Sequence, residues 1–283
     1  MKTIISTILT LLFAMQLSFA QTDCLTIGVS EKIFSTILNE KRTINIYLPE
    51  NYNQNDTVKY PVIYILDGGI KEDFYHITGI VQYNTQPWIN RFPRSIVVGI
   101  ENSYRQRDFT FPVSNLDFLE KVGFKKEKFP IYGGSANYIS FLENELLPYI
   151  SDKYKTNQER TIIGESLAGL MATEILMKHP DLFNTYIISS PSLWWGNQIL
   201  LKDADNLLNV HLKTQIKVCV IAPNKKEDKM MYNDAKSLYE IVKRNENISS
   251  FFEYLPDELH STVFHIAVYN AFKLIYPKTK FSM

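Results

Sequence analysis

The chain has 283 residues, 45% of them apolar, and its 30 basic and 30 acidic residues cancel to a formal net charge of zero. That length and apolar content allow one large core, and the balanced charge argues against nucleic acid or an anionic membrane as main partner. The 17 tyrosines and 17 phenylalanines suit either an aromatic-rich core or a pocket for bulky, ring-bearing ligands.

Residues 1–20 read as a secretory signal peptide. Lys2 supplies the positive end, 4–17 the apolar run, and Ser18-Phe19-Ala20 a small-x-small cleavage site before Gln21. An uncleaved anchor is the alternative reading. Residues 21–283 then form a single domain, and no later segment is long and apolar enough to span a bilayer. The expected location is periplasmic or secreted. Cys24 lacks the small-residue lipobox of a lipoprotein, so no lipid anchor is expected. Cys219 sits in an apolar run and reads as a small buried hydrophobe. With two cysteines and no metal-ligand spacing, no zinc site is implied; whether the two cysteines pair stays open.

Strands and helices alternate along the mature chain, without repeats or low-complexity linkers. Residues 32–38 and 42–48 predict two antiparallel strands, ended by Pro49 and the polar turn 50–57. Residues 60–66 are a continuous apolar strand leading into Asp67-Gly68-Gly69, and 95–100 are another buried strand. Over 137–154 the spacing of Ile139, Leu142, Leu146, Tyr149 and Ile150 is helical, with Pro148 expected to kink the segment. A β-branched run at 160–163 ends in a turn carrying a serine, and helical spacing resumes over 167–178. Strands at 185–189, 216–221 and 250–255, with helices at 232–244 and 262–276, complete the chain. Eight strands interleaved with helices predict an α/β fold whose mostly parallel sheet is covered on both faces.

The turn Gly164-Glu165-Ser166-Leu167-Ala168-Gly169 carries the chemistry. A serine wedged between strand and helix is the nucleophile elbow of α/β-hydrolases. Its backbone is strained, so the residues two before and two after it must be small. Gly164 meets the first requirement; Ala168 stands where glycine is usual, a departure of one methyl. A serine hydroxyl is a poor nucleophile until a base, normally a histidine oriented by a carboxylate, takes its proton. In this fold the order is serine, acid, histidine, each on a loop at the carboxyl end of a strand. Of five histidines, His260 alone follows the last strand on a loop before the final helix, and is the expected base. His179 ends the elbow helix, His211 lies in a polar connection and His265 lies inside the last helix. His76 follows the Asp67-Gly68-Gly69 loop and is a candidate pocket residue. The acid belongs after the strand at 216–221. Glu227 is the first choice and Asp228 the alternative, and a dyad without an acid also fits. The oxyanion needs preorganised donors, expected from the N–H of Leu167 and that of Gly69 or Ile70.

Several stretches together resemble one family. They are Tyr64-Ile65-Leu66-Asp67-Gly68-Gly69, Arg107-Asp108-Phe109-Thr110, Gly133-Gly134-Ser135-Ala136 leading into 141–146, the elbow itself, Ser190-Pro191-Ser192-Leu193-Trp194-Trp195, and His260 before the closing helix. The chain is similar to the esterase D-type branch of the α/β-hydrolases and, within it, to secreted ferric-siderophore (enterobactin/salmochelin) esterases, over most of its mature length. The resemblance implies hydrolysis of carboxylic esters through an acyl-enzyme, a small-molecule ester as partner, no cofactor, and a pocket partly walled by Trp194 and Trp195. It also implies an acid that is often dispensable. Ala168, and an Asn224 loop without the family's usual glycine, depart from the pattern. Arg91, Arg94, Arg105 and Arg107 are candidates to line a pocket for an anionic ligand, although Arg107 with Asp108 also reads as a structural pair beneath the site. The expected function is a secreted serine carboxylesterase, with siderophore or acylated-carbohydrate esters as candidate substrates. An acyltransferase using the same serine, and a non-catalytic binding protein on this scaffold, are the competing classes.

Overall fold

A computed structural model describes residues 24–208, 212 and 214–278. The predicted signal peptide and His211 lie outside the described residues. Eight strands form one sheet in the order β1-β2-β4-β3-β5-β6-β7-β8. β1 (Val29–Ser35) and β2 (Glu40–Tyr47) make a hairpin whose turn places Asn39 at a φ of 53°, a left-handed conformation that asparagine tolerates. β2 runs antiparallel to β4 (Ile96–Ile100), and the remaining pairings are parallel, through β3 (Tyr60–Leu66), β5 (Thr156–Glu165), β6 (Thr185–Ser189), β7 (Ile216–Ala222) and β8 (Ile248–Tyr254). β4 and β6 are buried at every position, as expected of parallel strands covered on both faces.

Two groups of helices sandwich the sheet. α1 (Phe74–Asn84) and α7 (Val263–Ile275) pack over one face through Phe74, Ile77, Val81, Ala267, Val268 and Ala271. The larger core, on the other face, takes residues from α2 (Ser135–Phe141), α3 (Leu147–Lys153), α4 (Leu167–Lys178), α5 (Ile199–Leu207) and α6 (Lys229–Val242). The helix expected over 137–154 is split by a π-helical turn at Leu142–Leu146. Pro148 has no N–H for the carbonyl four residues back, and its ring would crowd that carbonyl; widening the preceding turn accommodates both. Sequence periodicity also missed α1 and α5. α1 contains β-branched and aromatic residues and Gly79, all weak helix formers, and is held by the buried stripe Phe74, Ile77, Thr78 and Val81.

Cys24 is exposed and Cys219 buried in β7, and both are free thiols. Among the described residues no helix is long and apolar enough to cross a membrane.

Candidate active site

β5 ends at Glu165, and Ser166 turns the chain into α4 with φ 57° and ψ −118°. A non-glycine residue there costs roughly 1–3 kcal/mol and persists only when its surroundings over-determine it. They do. The Ser166 N–H donates to the Ser189 carbonyl at 3.1 Å, and its carbonyl accepts from the N–H groups of Leu170 and Ser192, both at 2.9 Å. A Cβ on Gly164 would stand 2.4 Å from the Ala168 carbonyl oxygen, and one on Gly169 would stand 3.0 Å from Pro191 Cα. The steric demand therefore falls on residues 164 and 169. The methyl of Ala168 is absorbed into the larger core, so the departure from glycine leaves the elbow intact.

The elbow opens on a cavity of about 310 Å³ lined by Ser166, Leu167, Ser192, Arg105, Gln106, Phe124, Lys128, Phe129 and Trp194. Ser166 Oγ lies 3.2 Å from Ser192 Oγ. Trp194 stacks on Phe124 with ring centroids 5.3 Å apart. Trp195, expected beside it, is fully buried and donates its indole N–H to the Phe111 carbonyl at 2.9 Å, so it supports the wall from behind. Arg105 grips the Asp67 carboxylate at 2.9 Å and donates to the Glu165 carbonyl at 3.2 Å, spanning the ends of β3 and β5. Arg107, two residues on, is not brought to the cavity. Its guanidinium is held by Glu40 and Asp108, each at 2.7 Å, in a network that also contains the fully buried Arg42. Two residues along a single helical turn, Arg105–Asp108, point side chains to nearly opposite sides. Arg94 is likewise engaged elsewhere, donating to the Glu50 carbonyl, and Arg91 lines a separate surface cavity. His76 does not line the Ser166 cavity; its ring stacks on His265.

His260 sits on the loop between β8 and α7. Its backbone N–H donates to Glu227 Oε2 at 2.6 Å, and its Nδ1 is buried without a hydrogen-bond partner. Glu227 thus meets His260 at the main chain, not at the ring. Asp228 is spent on capping α6, accepting from the Met231 N–H at 2.9 Å. Asn224 ties the two loops together, its N–H donating to the Glu258 carbonyl and its side chain to the Pro256 carbonyl. Burial lowers the His260 pKa below its ordinary 6.5; Glu227 opposes that shift, and the Arg105 guanidinium adds to it. Arg105 therefore looks both ways: it lines the Ser166 cavity and repels a proton on His260.

The donors for an oxyanion are narrowed. The Gly69 N–H is taken by Glu72 Oε2 at 2.6 Å, which leaves Ile70 as that loop's candidate, opposite the Leu167 N–H at the head of α4, where the first amides have no helical acceptor. Gly68 is glycine because a Cβ there would lie 2.3 Å from Gly99 Cα. Glu165, beside Ser166, has its pKa pushed up to about 8 by burial and then by Asp73, with Arg105 pulling the other way. Ser192, Phe124, Lys128 and Phe129 were not assigned from sequence. Ser192 stands in a quoted motif, and the others come from a stretch without helical or strand period.

A mostly parallel eight-stranded sheet in this strand order, with a serine at positive φ between β5 and its helix, is the α/β-hydrolase fold. The chain belongs to the esterase family described as "Putative esterase", whose model matches residues 35–272, and it is a carboxylic ester hydrolase. It is similar to the ferri-bacillibactin esterase BesA of Bacillus subtilis, 28% identical over 253 residues that cover 83% of this chain and 85% of the relative. Among solved structures it is similar to an IroE-like serine hydrolase from Shewanella oneidensis, at 26% identity and a TM-score of 0.80 over 88% of this chain and 80% of that one. The BES protein from Bacillus cereus matches at 25% identity and a TM-score of 0.77, covering 91% of this chain and 99% of the other.

Proposed function

We propose that the protein is a secreted serine esterase in which Ser166 attacks the ester carbonyl and His260 moves the proton. The observation that carries this is Ser166, held at φ 57° on an elbow that opens into the cavity. His260 takes the Ser166 proton as Oγ bonds to the carbonyl carbon, and the N–H groups of Leu167 and Ile70 receive the oxyanion. On collapse His260 returns the proton to the leaving alcohol, giving an acyl-serine; water repeats both steps and frees the acid. Ser192 holds the Ser166 hydroxyl between turnovers. Glu227 acts as a positioning residue, fixing the main chain of His260 and favouring its protonated form. Burial and Arg105 keep the imidazole unprotonated and ready to accept.

The substrate we propose is an anionic aromatic ester of the siderophore type. Phe124, Phe129 and Trp194 offer ring faces, and Arg105 and Lys128 offer positive charge at the same cavity. The ferri-bacillibactin esterase relative supports that choice. Secretion rests on the signal-like pattern of residues 1–20. Ser166→Ala should abolish hydrolysis of p-nitrophenyl acetate and labelling by a fluorophosphonate while circular dichroism stays unchanged. Retained turnover in that variant removes Ser166 from the reaction. A panel of a catecholate trilactone, feruloylated and acetylated sugars and short acyl esters tests the substrate. The trilactone should give the highest kcat/KM, and a preference for the sugars overturns the siderophore assignment.

A further inference from the structure

α1 and α7 lie together over one face of the sheet, and their first turns bring three metal-ligating side chains into one place. Asp73 immediately precedes α1, His76 lies in its first turn, and His265 lies in the first turn of α7. His265 Nε2 is 3.1 Å from Asp73 Oδ1. The rings of His76 and His265 stack with centroids 3.9 Å apart and planes inclined by 41°. One ligand atom from each of the three residues lies within 4.8 Å of the other two. Two ligands on a tetrahedral ion, each about 2.0–2.1 Å from it, stand about 3.3 Å apart. The His265–Asp73 distance already has that spacing, and a side-chain rotation of the exposed His76 supplies the third ligand. Asp73 and His265 are half-buried and His76 is exposed, so an ion can enter and water can complete its coordination.

Two imidazoles and one carboxylate suit a first-row divalent transition ion; Mg²⁺ and Ca²⁺ take oxygen ligands.

We propose that Asp73, His76 and His265 form a binding site for a divalent first-row transition ion such as Zn²⁺, which fastens α1 to α7. None of the three lines the Ser166 cavity, so this site stands or falls independently of the esterase mechanism. The ligands are separated by up to 192 positions, so their spacing along the chain matches no metal motif.

The test is calorimetric titration of the untagged, EDTA-treated full chain with ZnCl₂ at pH 7.5, with MgCl₂ and CaCl₂ run alongside. One Zn²⁺ should bind per chain and raise Tm, while Mg²⁺ and Ca²⁺ give no saturable heat. Losing a partner of a metal-ligating histidine typically costs 10–100-fold in affinity, so His76→Gln, His265→Gln and Asp73→Asn should each weaken Zn²⁺ by at least about tenfold. Asp73 makes no side-chain cap to α1, so its substitution does not remove a helix cap. His179→Gln, which alters a histidine 3.8 Å from Glu143, should bind as the wild type does. Absence of saturable Zn²⁺ binding, or binding that survives in the three variants, overturns the proposal. If a variant does not fold, a wild-type crystal soaked in ZnCl₂ decides: an anomalous peak between the three residues supports the site, and a peak only elsewhere refutes it.

Discussion

At the end of β5, three main-chain hydrogen bonds fix Ser166, and Gly164 and Gly169 leave the surrounding backbone no room to shift. On the loop between β8 and α7, His260 is anchored by one bond from its N–H to the exposed Glu227, backed by the Asn224 bridges between the two loops. Ser166 is thus set by short-range sterics, and His260 by loop-to-loop contacts that span 33 positions. The first arrangement is strained; the second leaves an imidazole nitrogen buried without a partner.

The largest expected effect comes from removing the proposed base. His260→Ala should lower kcat/KM for p-nitrophenyl acetate by about 10²–10⁴-fold, the usual contribution of a positioned general base, with Tm little changed because the ring makes no Nδ1 hydrogen bond. An activity loss below threefold would place the base elsewhere. Next comes the strain itself. Ser166→Gly should raise stability by about 1–3 kcal/mol, since glycine adopts a positive φ without penalty, whereas His260→Gly should not. Chemical denaturation of both variants reads the difference, and equal responses would mean that the elbow is no more strained than the loop.

The same division explains which features are legible in the residues alone. The elbow was legible because its requirements are local: a β-branched run, a small residue two before the serine, and a helix starting at once. The place of His260 on the loop between the last strand and the last helix was legible by topology. The placement of Arg105 against Arg107 was not, because composition and spacing cannot tell which of two arginines on one helical turn faces Glu40 and which faces Asp67. Trp195 reads the same as Trp194 in the sequence, yet a single indole bond to the Phe111 carbonyl puts it behind the wall. Gly68 and Gly69 give their loop the freedom to turn its N–H groups inward, which makes Gly69 a candidate oxyanion donor alongside Ile70; Glu72, three residues on from Gly69, takes that N–H. α1 escaped because tertiary burial of one stripe outweighs the poor propensity of its residues.

The finest test of the comparison is the acidic limb of kcat/KM, which reports the pKa of the base in the free enzyme. In the proposed mechanism His260 works unprotonated, so the rate should rise with pH through its pKa and level off above it. Burial and Arg105 lower that pKa, so the midpoint should fall below 6.5, the ordinary histidine value. Glu227→Gln removes a carboxylate that favours imidazolium, and should move the limb to still lower pH. An amide oxygen can still accept the His260 N–H, so the plateau rate should fall by less than about tenfold, in line with the modest worth of one hydrogen bond. Arg105→Gln removes a cation that opposes protonation and leaves Asp67 unpaired, so its limb should move to higher pH. Arg105 also lines the cavity, so its plateau will drop as well; the midpoint is the readout that a loss of substrate contacts alone would not move. Limbs shifting together in one direction would mean that His260 does not feel these two charges from opposite sides, and that the loop is not poised between them.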